Sequence, residues 1–194
     1  RDFFTNLPVR RNVDAVFVAS FAIEPQEVEQ LKRIHVPIIG INTPSAAGFD
    51  ASISIDDEAS MFTAAQHLIS LGHKNLVYVC SEAIDSINSS IDARGRGFVR
   101  ACKMAEATHQ FTWQVLAVPR GKTFADSALT ALLALDEFPD AICCQTDMMA
   151  IPLVLKLDRY GHRTPRDFSI IGFDDSPYAD TVNLTTMRQD PFAM

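Results

Sequence analysis

Buried-strand patterns and helical stripes alternate from one end of this chain to the other. Val13 to Ala19 reads as a buried strand, and Pro25 to His35 follows as a helix with Val28, Leu31 and Ile34 at helical spacing. Val36 to Ile41 is the next strand, and a small-residue loop, Thr43 to Gly48, leads to a short strand at Ser52 to Ile55. Asp56 or Asp57 caps a helix with Phe62, Ala65, Leu68 and Ile69 on one face, and Gly72 ends it. Asn75 to Cys80 is a strand, Ser89 or Ser90 opens a helix carrying Arg94, Phe98, Ala101 and Cys102, and Trp113 to Val118 is a strand with Trp113 packed inside. Thr123 is placed to cap a helix from Phe124 to Leu135, whose dense leucines require a sheet beneath them. Asp140 to Cys144 is a strand, and Asp147 is placed to cap a helix to Tyr160 that Gly161 ends. Pro152 falls past the first turn of that helix, where proline costs about 3 kcal/mol or bends the axis. Phe168 to Phe173 is the last long strand, and Ser176-Pro177 has the chemistry of a short helix start.

This alternation predicts an α/β fold with parallel sheets covered by helices on both faces. Its most telling detail is where the apolar runs stop. Phe168 to Phe173 ends at Asp174-Asp175, Val36 to Ile41 ends at Asn42, and Ala141 to Cys144 ends at Gln145-Thr146-Asp147. Polar groups thus collect at the carboxyl ends of buried strands, where open α/β sheets bind ligands.

Composition adds boundaries. Hydrophobic residues make up 47% of the 194 and charged residues 21%, enough apolar content for a sizeable core. A formal charge of -7 argues against direct grip on a phosphate backbone by this segment. The four cysteines, Cys80, Cys102, Cys143 and Cys144, form no Cys-x-x-Cys pair and read as reduced, buried hydrophobes. With no membrane-length apolar run and no signal-peptide pattern at the start, a cytoplasmic location is expected.

Several chemistries fail on their motifs. Gly121-Lys122-Thr123 resembles the end of a phosphate loop, but its first glycine would fall on Leu116. Gly95 and Gly97 lie within a helix pattern and the third dinucleotide position is Arg100. His35, His67, His73, His109 and His162 lack metal spacing, and no Gly-x-Ser-x-Gly elbow is present. The adjacent carboxylates Asp56-Asp57 and Asp174-Asp175 point opposite ways on extended chain and make no acid/base dyad. Neither an enzyme nor a bound cofactor is expected.

Taken in order, Val13-Asp14-Ala15-Val16, Val36-Pro37, His67-Leu68-Ile69-Ser70-Leu71-Gly72-His73, Arg94-Gly95-Arg96-Gly97-Phe98, Thr146-Asp147-Met148-Met149-Ala150, Ile171-Gly172-Phe173-Asp174-Asp175 and Leu184 to Gln189 resemble the LacI/GalR (lactose and galactose repressor) family of bacterial transcription regulators. The resemblance implies the effector-binding domain, with the type I periplasmic-binding-protein fold of two Rossmann-like lobes and a small effector held in the cleft between them. It assigns residues 1–55 to part of an incomplete N-terminal lobe, 56–188 to the C-terminal lobe and 189–194 to the crossover back. A helix-turn-helix that grips operator DNA would precede Arg1, and a homodimer without membrane contact is implied. The alternative of a different class is a periplasmic sugar-binding protein of a transport system, which shares the fold.

By resemblance Arg94 donates a forked pair of hydrogen bonds to effector hydroxyls and Asp174 accepts from neighbouring ones. A sugar's vicinal hydroxyls both donate and accept, so a guanidinium and a carboxylate on one ring satisfy both senses. The plain alternatives are a solvated helix charge for Arg94 and a helix cap for Asp174. Asn42, Ser90, Thr123 and Gln189 occupy further positions that line the cleft in the family, Thr146 stands where an asparagine contacts effector there, Ser20 or Phe21 ends the first strand, and Phe21, Phe124 or Phe173 is a candidate apolar face for a sugar. Thr146 departs from the asparagine common there, which points to an effector that is smaller, differently oriented or not a simple hexose.

Overall fold

The computed structural model describes residues 13–19, 25–42, 48–81, 93–108, 110–119 and 121–190. The chain divides into two compact units, Arg1–Ile55 with Asp190–Met194, and Asp56–Gln189.

In the first unit, β1 (Val16–Ala19), β2 (Ile38–Ile41) and β3 (Ala51–Ile53) form a parallel sheet in that order. Val16 lies opposite Ile38, so the apolar run from Val13 pairs only from Val16 onward. The helix α1 (Pro25–Lys32) buries Val28 and Leu31. It stops short of the expected His35, because Ile34 and His35 donate to the carbonyls three residues back and His35 adopts a left-handed φ of 57°. Asp50 Oδ2 accepts from Ile38 N at 2.8 Å, pinning the start of β2.

The second unit carries the larger core. Its strands are β4 (Asn75–Ser81), β5 (Thr112–Val118), β6 (Ala141–Cys144), β7 (Ser169–Asp174) and β8 (Thr185–Arg188), all parallel in the order β5-β4-β6-β7-β8. Val77, Val79, Ile142 and Cys144 pack towards α4 (Phe124–Leu133) and α5 (Asp147–Arg159), contributing to one core with Leu129, Leu132, Leu153 and Leu157. Tyr78, alternate with them on β4, stacks at 5.5 Å on Phe98 of α3 (Ala93–Glu106). Period-two alternation therefore feeds both faces of one sheet, as parallel sheets require. Phe98 also meets Trp113 edge-on at 6.3 Å; Trp113, on edge strand β5, is only half-buried.

The helix α2 (Asp57–Ser70) packs against α3 with unusual closeness. A Cβ at Gly97 would lie 2.1 Å from Glu58 O and 2.8 Å from Phe62 N, so only glycine lets these backbones meet. Above that contact Arg96 and Arg100 reach Glu58 at 3.2 and 3.0 Å, exposed ion pairs worth about 0–1 kcal/mol.

One open cap assignment is settled and two change. Asp56 caps α2, accepting from Ala59 N at 2.8 Å, which leaves Asp57 in the first turn with its carboxylate uncommitted to capping. Thr123 precedes α4 but makes no side-chain cap bond, since its backbone (φ -92°, ψ 1°) is turn-like instead of extended. Thr146, in extended conformation, occupies the cap position of α5, and Asp147 is the first residue inside. The short helix expected at Ser176-Pro177 is a 3-10 turn over Ala179–Val182 that follows Tyr178. Pro152 is accommodated inside α5; the carbonyl it deprives of a donor belongs to Met148, which is 75% exposed. The strand β8 was not predicted: a short, threonine-rich edge lacks an apolar run.

Candidate functional site

The switch in strand order lies between β4 and β6, because β5 is added on one side of β4 and the later strands on the other. Two residues at their carboxyl ends close this crevice. Gln145 Oε1 accepts from Ser81 N at 3.2 Å and from Ser81 Oγ at 3.0 Å. Gln145 turns its carbonyl to Arg94, whose Nη1 donates to it at 2.6 Å.

Arg94 is the centre of the cluster. Its Nε donates to Asp57 Oδ1 at 2.7 Å and its Nη1 also reaches Asp174 Oδ1 at 3.4 Å. The guanidinium carbon of Arg94 lies over the Phe173 ring, 3.7 Å from its centroid, a cation–π contact that helps to hold the fork in place. Gln189 Nε2 donates to Asp174 Oδ1 at 2.6 Å. Arg94, Asp174 and Gln189, distant in sequence, thus come together, and Asp57 joins them. Among the described residues the Nη2 of Arg94 has no acceptor. The fork expected to face a ligand is therefore mostly engaged by the chain itself, with one end open.

Asp174 and Asp175 both have positive φ, 115° and 54°. Non-glycine residues held there cost about 1–3 kcal/mol each and persist only where surrounding bonds determine them. Those bonds are present. Asp147, fully buried, accepts from Ser176 N at 2.7 Å and from Thr186 Oγ1 at 2.7 Å, and Thr186 Oγ1 in turn accepts from Asp175 N at 3.2 Å. Gly172 makes room for that carboxylate, since a Cβ there would lie 2.1 Å from Asp147 Oδ1. Asp175 pairs instead with Arg188, 3.8 Å off; the two residues are not on extended chain, so their different partners come from the turn and not from strand alternation. Burial raises the Asp174 pKa above the usual carboxylate range, opposed by the charge of Arg94 and the Gln189 hydrogen bond and reinforced by Asp147.

The remaining predicted residues divide. Phe124 is core, 6% exposed and packed with Val118, Ala128 and Leu129, because helical period turns it onto the sheet. Phe173 is likewise buried and presents only its face to Arg94. Thr123 is exposed beyond β5, and Thr146 is half-buried between Gln145 and Asp147. Asn42 belongs to the first unit, where its N–H donates to Ile53 O at 2.9 Å and its Oδ1 accepts from Ile55 N at 3.2 Å, tying β2 to the chain after β3. Ser20, Phe21 and Ser90 lie outside the described residues. Sequence reasoning missed Asp57, Asp147 and Thr186 as members of this network. The doubled acid at Asp56-Asp57 was the available signal, since one cap needs one carboxylate.

Residues 65–194 match the model of the periplasmic binding protein-like domain family. The chain belongs to this family. Its relatives make it a LacI-type effector-binding domain: it is 31% identical over 184 residues to catabolite control protein A of Priestia megaterium and 32% identical over 189 residues to the PurR transcriptional repressor of Haemophilus influenzae (strain PittEE). Each alignment covers 92% of this chain and 54% of the relative, so the chain spans about half the length of the curated relatives it matches. A LacI family transcriptional regulator from Enterococcus faecium, solved with bound ribose, superposes with a TM-score of 0.80 at 28% identity, over 99% of this chain and 70% of that one. The α/β architecture with parallel, helix-flanked sheets is that of the family. Among the described residues no group of three or more His, Cys, Asp or Glu is fit to hold a metal ion, and no helix is long and apolar enough to cross a membrane.

Proposed function

We propose that the chain binds a small sugar or related polyhydroxylated metabolite at the Arg94–Asp174–Gln189 cluster, as the sensing part of a LacI-type transcription regulator. The observation that carries this is the convergence of one open guanidinium donor, an acceptor carboxylate and an amide on the carboxyl ends of β6, β7 and β8. The ribose held by the Enterococcus faecium regulator supports the ligand class. Ligand binding then changes operator affinity by linkage, to the extent that the two functional states bind the ligand unequally. Residues 1–55 would belong to the N-terminal lobe, 56–188 to the C-terminal lobe and 189–194 to the return crossover, in keeping with the two compact units. The working form would be a cytoplasmic homodimer; four buried cysteines that form no disulfide among the described residues suit a reducing compartment.

The test is calorimetric titration of the full-length protein with ribose and a panel of neutral pentoses and hexoses, alongside binding to DNA from upstream of its own gene. The expected result is saturable sugar binding that shifts DNA affinity several-fold and is lost in Arg94→Ala. Sugar binding that leaves DNA affinity unchanged would remove the regulatory half of the proposal.

A further inference from the structure

We infer that Asp57 makes this site selective for an uncharged ligand over an anionic one, and that a phosphorylated or acidic form of the same sugar is rejected. This rests on the sugar-site reading above and deepens it. Three features of the site normally attract anions, and each is already answered by a carboxylate of the chain.

The first is the positive end of α2, where Asp56 accepts from Ala59 N and Asp57 occupies the first turn. The second is the positive end of α5, whose first turn holds the fully buried Asp147. The third is Arg94, neutralised by Asp57 at 2.7 Å and approached by Asp174 at 3.4 Å. The first turn of α3 has no acid and adds its partial positive charge to that of Arg94, so the two carboxylates facing Arg94 must outweigh both. Arg188 pairs with Asp175 at 3.8 Å and adds no net charge.

Among the described residues one guanidinium thus faces Asp57 and Asp174, with Asp147 behind Asp174, and their balance is negative. A phosphate or carboxylate brought to Nη2 of Arg94 would enter beside two carboxylates, and like charges at such range in a partly buried site repel strongly. A hydroxyl meets no such barrier: its oxygen accepts from Nη2 while its O–H donates to a carboxylate oxygen. Asp57 is the adjustable member, because Asp147 holds the β7–β8 loop and Asp174 is itself a ligand-facing acceptor.

The experiment compares ribose with ribose 5-phosphate by calorimetry on the full-length protein, wild type and Asp57→Asn, with thermal unfolding of both to verify folding. The expected result is at least tenfold tighter binding of ribose by wild type, with the ratio shrinking at least fivefold in Asp57→Asn. Equal or tighter binding of the phosphate by wild type would overturn the inference while leaving the sugar site standing. So would an unchanged ratio in the folded variant. Binding of neither compound, nor of other neutral and phosphorylated sugar pairs, would sink the inference and the sugar-site reading together. If Asp57→Asn fails to fold, Asp57→Glu, which keeps the charge, must retain the wild-type preference, and Asp57→Ser must narrow it.

Discussion

Asp147 and Asp174 stand at the ends of neighbouring strands, yet one is sealed and the other open. Asp147 is fully buried and both its oxygens accept short hydrogen bonds, from Ser176 N and Thr186 Oγ1. Asp174 has a side chain 33% exposed, shares one oxygen between Arg94 and Gln189, and sits on strained backbone. The difference separates a carboxylate that holds the loop from one left available for chemistry. Satisfied buried polar groups fix a conformation, whereas incompletely satisfied, half-buried ones await a partner.

The largest expected effect breaks the sealed side. Asp147→Ala leaves two partly buried donors unmatched and should cost about 2–3 kcal/mol in urea unfolding. Gly172→Ala should cost a similar amount, because its methyl group occupies the carboxylate's place. Since both damage one contact, the double variant should fall short of the sum by about 1 kcal/mol or more; strict additivity would mean that Gly172 and Asp147 matter for separate reasons.

On the open side the ordering inverts. Arg94→Ala should cost only about 1–2 kcal/mol of stability, because Asp57 and Asp174 can turn to water, while ribose affinity falls at least tenfold. Arg94→Lys should recover stability better than affinity, since an ammonium cannot reproduce the planar fork on Phe173. A loss of stability as large as that of Asp147→Ala would erase the contrast.

Acid titration sharpens it further. Burial raises the Asp174 pKa, so the folded chain holds that proton more tightly than the unfolded chain. The linked stability is present below the ordinary value of 3.8 and is lost as pH rises through the raised value. Wild type should therefore lose stability relative to Asp174→Asn as pH climbs through that window, measured by thermal unfolding of the pair. A difference that does not vary with pH would place Asp174 in a fully solvated setting.

The smallest effect is none. Burial, with Glu106 nearby, pushes the Cys102 thiol up to about 12, and burial raises Cys143 and Cys144 as well. Iodoacetamide at neutral pH should leave all three unlabelled in the folded chain. Labelling of Cys144, beneath Asp147 at the end of β6, would mean that the sealed region opens.

Much of this was legible in the sequence, for a definite reason. Long apolar runs such as Leu76 to Cys80 and Ile170 to Phe173 announce buried strands whatever surrounds them, and their polar endings announced Arg94's eventual partner Asp174. What stayed hidden depends on tertiary approach. The strand β8 is polar because it is an edge, and its Thr186 matters only through Asp147. Phe124 could be read as ligand-facing because a strand end lies just ahead of it, but helical period commits it to the core. The doubled acid at Asp56-Asp57 signalled one carboxylate beyond the cap, but nothing local reveals that α3 brings an arginine to Asp57.

Gly97 has a reach beyond its own turn. Where two rods touch main chain to main chain, no flexible side chains remain between them to absorb sliding, so α2 and α3 behave as a single spar. Asp57 and Arg94 ride on the same end of that spar, and their spacing is set as firmly as if a brace had been riveted between them.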